Sequence, residues 1–184
     1  MQRIMTAPEY IQLRAFARLD GLKLFVLWLI SFACYVAGLK WPGLGMLAIL
    51  LALYTPFMAS RLLRKFRDNG LDGIISFGRG WAYVIFLFFY ASLLFAVAQF
   101  VYFAYLDKGF FASALAQLFN SSESTEAMKQ MGMSEILNET LHQLHTMRPI
   151  DLVLNILTSN LLVGLFIGLP IAAFCKRERI EKVK

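Results

Sequence analysis

The stretch GWAYVIFLFFYASLLFAVAQFVYFAYL, residues 80–106, decides how the chain folds. It holds twenty-seven consecutive residues without a charge, and eleven of them are Phe, Tyr or Trp. As a helix rising roughly 1.5 Å per residue it reaches about 40 Å, beyond the roughly 30 Å hydrocarbon core of a bilayer. A membrane span is therefore the reading. Arg79 and Trp81 set its inner end, and its surplus length carries Tyr102 and Tyr105 into the outer interface.

The rest of the chain agrees with that environment. Of 184 residues, 59% are hydrophobic, and the mean hydropathy is +0.61, too apolar for a soluble domain of this size. An all-α polytopic membrane protein is expected: a four-transmembrane-helix bundle with short extracytoplasmic amphipathic helices. Residues 1–21 form a cytoplasmic or interfacial arm, in which Thr6 and Glu9 have capping-box spacing and Pro8 lies in the first turn. Two arrangements suit this arm: a short helix on the inner leaflet that turns inward at Gly21, or a simple extension of the first span. The first three spans occupy residues 22–106 and include a basic cytoplasmic loop at 61–79. KWPG, 40–43, is the turn between spans one and two, and Pro56 is expected to kink the second. Residues 107–151 form an extracytoplasmic helical connection, 152–175 the fourth span, and 176–184 a basic tail. The first apolar run starts only after Lys23 and no small-residue cleavage site closes it, so that span is expected to remain attached.

Charge sets the orientation. Fourteen of the eighteen Lys and Arg residues fall in the arm with the adjoining Lys23, the 61–79 loop and the tail, which places both termini and that loop in the cytoplasm. The +6 net charge flanks apolar spans instead of interleaving with aromatics on a soluble face, so membrane lipids, a protein partner or a second copy are expected, and no nucleic acid. Cys34 and Cys175 lie in or beside spans without metal or redox spacing and are read as packing residues.

Three constellations carry possible chemistry. Arg61, Arg64, Lys65, Arg67 and Arg79 gather around the 61–79 segment, where they can meet phosphate or acidic side chains. Within the spans, Gln99, Asn155, Ser159 and Asn160 are polar groups that need partners in hydrocarbon, and Gly164 and Gly168 permit close packing of another helix, the third span being the first choice. Finally, Glu139, His142 and His145 share one face of an external helix at metal-ligand spacing, although a solvated polar face opposite the apolar stripe is the default reading of such residues. No Asp, Glu, Arg, Lys or His lies deep inside any expected span, which argues against active transport. Neither GxSxG, a Walker loop nor HExxH is present, so no enzyme activity and no cofactor is expected.

Four spans, the block RLLRKFRDNGLDGIISFGRGW at 61–81, a longer outer connection and the GLFIG-containing last span ending in basic residues together resemble the small integral membrane family of unknown function numbered 4199, common in Bacteroidota. The resemblance covers nearly the whole chain and is sharpest from Arg67 to Gly80. It implies topology and an envelope location, with no catalytic residues. Similar families of small four-span proteins serve as membrane partners of polyprenyl-phosphate glycosyltransferases. The leading expectation is accordingly a non-enzymatic accessory or scaffold protein docking a partner enzyme or anionic lipid through its basic face. The alternatives are a carrier or channel-like protein for a small or lipidic ligand using the polar residues of spans three and four, and a metal site on the external helix.

Overall fold

A computed structural model describes residues 6–119, 139 and 147–177. The protein is an all-α bundle in which four helices are long and apolar enough to cross a membrane. Helix α1 runs Ala7–Gly38, α2 Pro42–Gly70, α3 Phe77–Val101, α4 Phe110–Phe119 and α5 Pro149–Cys175. Helix α3 is the central element, packed against α1 on one side and α5 on the other; α2 lies chiefly on α1 and touches α5 and α3 more lightly. Because lipid tails are as apolar as leucine, this packing rests on close contact and buried hydrogen bonds rather than on removal of oily surface from water.

From Ala7 onward the amino-terminal arm and the first span are one uninterrupted helix. Glu9 Oε2 accepts from the Thr6 backbone N–H at 2.8 Å and from its hydroxyl at 2.9 Å, which fixes the start. Gly21 does not turn the chain. It lies inside the helix because α3 crosses there: a Cβ on it would meet Tyr90 Cβ at 2.9 Å. The buried seam of α1 is Leu13, Ala17, Asp20, Leu24 and Trp28, at helical spacing.

The 61–79 segment is likewise not a loop throughout. Residues 61–70 prolong α2, and only the short turn after Gly70 is irregular, with Asp72 and Gly73 at positive φ. Ser76 then caps α3 by accepting from the Arg79 N–H at 3.4 Å, so the glycine-rich SFGRG stretch is the beginning of a helix. At its far end α3 continues through one π-helical turn, Tyr102–Leu106, and Asp107 closes it by accepting from the N–H groups of Gly109 and Phe111 ahead of α4. Of the expected extracytoplasmic helices α4 is present, whereas the helix expected around Glu139, His142 and His145 lies, Glu139 apart, outside the described residues.

Glycines set the two closest helix contacts. At Gly38 an added Cβ would fall 2.5 Å from the Gly45 nitrogen, so the α1–α2 hairpin closes backbone to backbone beside the KWPG turn. At Gly164 an added Cβ would fall 2.5 Å from Phe88 Cγ, and at Gly168 3.1 Å from Trp81, which places both glycines of α5 against α3. These contacts, with Ala172 against Gly80, step together along the two helices and define one antiparallel register.

Candidate functional site

The basic end of the bundle separates the five cations into two groups. Arg79 is drawn inward: Nη1 lies 3.3 Å from Glu9 Oε1, Nη2 donates to Gln12 Oε1 at 3.3 Å, and the guanidinium lies over the Phe66 ring. Gln12 in turn donates to the Gly70 carbonyl at 2.9 Å, so one network ties together the start of α1, the end of α2 and the start of α3. Arg67 is also part of the framework, pairing with Asp68 at 2.7 Å and donating to the Cys175 carbonyl at 3.0 Å. Beside it, Ile75 and Arg177 exchange two backbone hydrogen bonds of 3.0 Å and pin the end of α5 to the α2–α3 turn.

Arg61, Arg64 and Lys65 remain exposed on α2, and Arg14 and Arg18 are exposed on α1. Arg61 donates to the Tyr54 hydroxyl and lies over that ring, while Arg14 lies against Tyr10, Phe86 and the Tyr90 hydroxyl. Arginines braced on aromatic rings beside an apolar span present their charge at headgroup depth, where anionic groups reside.

Within the spans the polar residues do not meet one another. Asn155 and Ser159 are exposed on the outer face of α5, and Thr158 donates to its own helix at the Leu154 carbonyl. Gln99 is 3% exposed, its Oε1 has no hydrogen-bond partner, and it makes no hydrogen bond to Asn155 or Asn160. Asn160 alone of this set lines a cavity of about 480 Å3 between α2 and α5, walled also by residues of α1 and α3. Toward the basic end α2 meets α5, where the Cys175 thiol reaches the Ser60 carbonyl at 3.8 Å; the cavity lies farther along, between residues 48–56 of α2 and 160–167 of α5.

Sequence reasoning missed one charged site altogether. Asp20, 5% exposed, accepts the Tyr83 hydroxyl hydrogen at 2.6 Å and pairs with Lys23 at 2.6 Å. Tyr83 is fully buried and stacks on Phe66 with centroids 4.8 Å apart. An ionisable group is therefore buried in the bundle, on the helix that includes the first span, where none was expected deep in a span. The signal was the position of Asp20 on the Leu13, Ala17, Leu24 seam, which the nearby arginines disguised as a surface.

Of the proposed metal ligands, Glu139 is exposed, and His142 and His145 lie outside the described residues. Among the described residues no three His, Cys, Asp or Glu side chains come together to hold a metal. Cys34 and Cys175 are both free.

No curated protein and no solved structure matches the chain. A family model described as "Protein of unknown function (DUF4199)" matches residues 19–177, most of the chain, from the Asp20 seam to the Arg177 bridge, and the protein belongs to that family.

Proposed function

We propose that this integral membrane protein is a non-enzymatic accessory protein that docks anionic lipid, or a partner enzyme working at the same surface, through its basic face. The observation that carries the reading is the exposure of Arg61, Arg64 and Lys65 on α2 and of Arg14 and Arg18 on α1, while Arg67 and Arg79 are consumed by the framework. Positive charge at this depth favours a cytoplasmic inner-leaflet position and phosphate-bearing ligands. An enzyme acting on polyprenyl phosphates suits such a face, because its substrate holds its phosphate at the same level.

The test is purification in mild detergent, and reconstitution in discs containing phosphatidylglycerol and phosphatidylcholine, with bound lipid and co-purifying protein measured. Replacing Arg61, Arg64 and Lys65 together by Gln is expected to abolish preferential retention of phosphatidylglycerol or of the partner. Unchanged retention of both overturns the reading. A second reading, binding or carriage of a small or lipidic ligand, is favoured by the cavity between α2 and α5.

A further inference from the structure

The cavity has a definite chemical character. Its walls carry the rings of Trp28, Phe32, Phe88 and Phe95, and no charged side chain lines it, so a ligand seated there is neutral. Its size falls within the roughly 300–1,000 Å3 typical of small-molecule sites. Two hydrogen-bond donors face this apolar space. Thr55 already accepts the Trp28 Nε1 hydrogen at 3.0 Å, which leaves its own hydroxyl hydrogen uncommitted. Asn160 makes no hydrogen bond among the described residues. Behind this wall, and not lining it, Ser92 lies on α3 between Phe88 and Phe95 with its Oγ buried without a partner, at the level of Asn160 in the α3–α5 register.

A plain hydrocarbon chain fills the volume but leaves these donors unmatched, which costs free energy in an apolar site. A charged headgroup meets no counter-charge. A flat ring bearing carbonyl oxygens satisfies both conditions, because its faces pack against the aromatic walls and its oxygens accept from the donors. The gap between α2 and α5 gives an apolar tail a way out into the surrounding hydrocarbon. We propose that the cavity between α2 and α5 binds a neutral quinone-type lipid, ring inward among Trp28, Phe88, Phe95 and Asn160, tail leaving between the two helices. This inference rests on reading the cavity as a ligand site and is independent of the basic face.

Trp28 supplies a local reporter, since quinones quench indole fluorescence. In discs, the full-length chain carrying Trp41→Phe and Trp81→Phe, which leaves Trp28 as its one tryptophan, is titrated with menaquinone-4. Saturable quenching is expected, with the apparent affinity falling about tenfold in Asn160→Leu and in Thr55→Val, the loss of roughly one hydrogen bond each. The Arg61, Arg64 and Lys65 variant should titrate normally. Native mass spectrometry of the otherwise unaltered chain counts bound menaquinone-4 and serves if the tryptophan variant does not fold. Linear quenching, unchanged in both variants, overturns the proposal and the ligand-site reading with it. Equal displacement by dioleoylglycerol or by disc phospholipid overturns the quinone assignment while the ligand-site reading stands. A disulfide dimer formed through Leu53→Cys at the cavity mouth shows a second copy there and overturns both.

Discussion

Tyr83 gives its hydroxyl hydrogen to Asp20 across the α1–α3 interface, at 2.6 Å and with both residues buried. The bond joins the helix that carries Arg14, Arg18 and Lys23 to the central helix of the bundle. Tyr83→Phe removes the donor and leaves the carboxylate to Lys23 alone, at an expected cost of about 1–3 kcal/mol. A fall in melting temperature in detergent checks this, at about 2–4 °C per kcal/mol for a chain of this length. Asp20→Asn, which keeps an acceptor for the phenol, should lose less than Asp20→Ala; equal losses would show that the hydrogen bond contributes nothing.

Gly164 and Phe88 form a pair in which one residue is small because the other is large. Gly164→Ala puts a methyl 2.5 Å from the Phe88 ring, and overpacking of this kind costs about 1–3 kcal/mol. Phe88→Ala alone opens a cavity and is expected to destabilise as well. Combined, the two changes should be less harmful than their sum, which a double-mutant cycle on thermal stability measures directly.

The reasons some of this was readable from sequence are physical. Uncharged runs such as 80–106 have a length set by the bilayer, Pro42 and Gly43 force a turn, and paired glycines announce close helix contacts. Arg67 and Arg79 look identical to Arg61 and Arg64 in a string, because partners such as Glu9 and the Cys175 carbonyl come from helices distant in sequence. Arg14, Arg18 and Lys23 masked the seam on which Asp20 lies. The cavity depends on how far the axes of α2 and α5 diverge, and no periodicity encodes that. Gln99 was legible as a polar residue in a span, yet its lack of a partner is a property of the assembled bundle.

The two classes of arginine should separate cleanly in stability. Arg79→Gln breaks the links to Glu9 and Gln12 and loosens three helix ends, for an expected loss of about 1 kcal/mol or more. Arg64→Gln changes an exposed side chain and should stay within about 0.5 kcal/mol of the parent protein. Thermal unfolding of both variants checks this, and a melting point for Arg79→Gln equal to that of Arg64→Gln would remove Arg79 from the framework.

Orientation is open to a direct chemical reading. The excess of Lys and Arg on the arm, on residues 61–79 and on the tail predicts that this end faces the cytoplasm. In a background of Cys34→Ser and Cys175→Ser, the exposed residues Asp72 and Ser113 mark opposite ends of the bundle, Asp72 in the turn before α3 and Ser113 on α4 beyond its far end. Ser113→Cys should react with a membrane-impermeant maleimide in intact spheroplasts. Asp72→Cys should react only after the membrane is opened. The reverse pattern would place Arg61, Arg64 and Lys65 on the outer side, where an inner-leaflet phosphate is out of reach, and docking through that face would lose its basis. The quinone-type site would survive such a reversal, because a neutral lipid enters between α2 and α5 from the hydrocarbon itself.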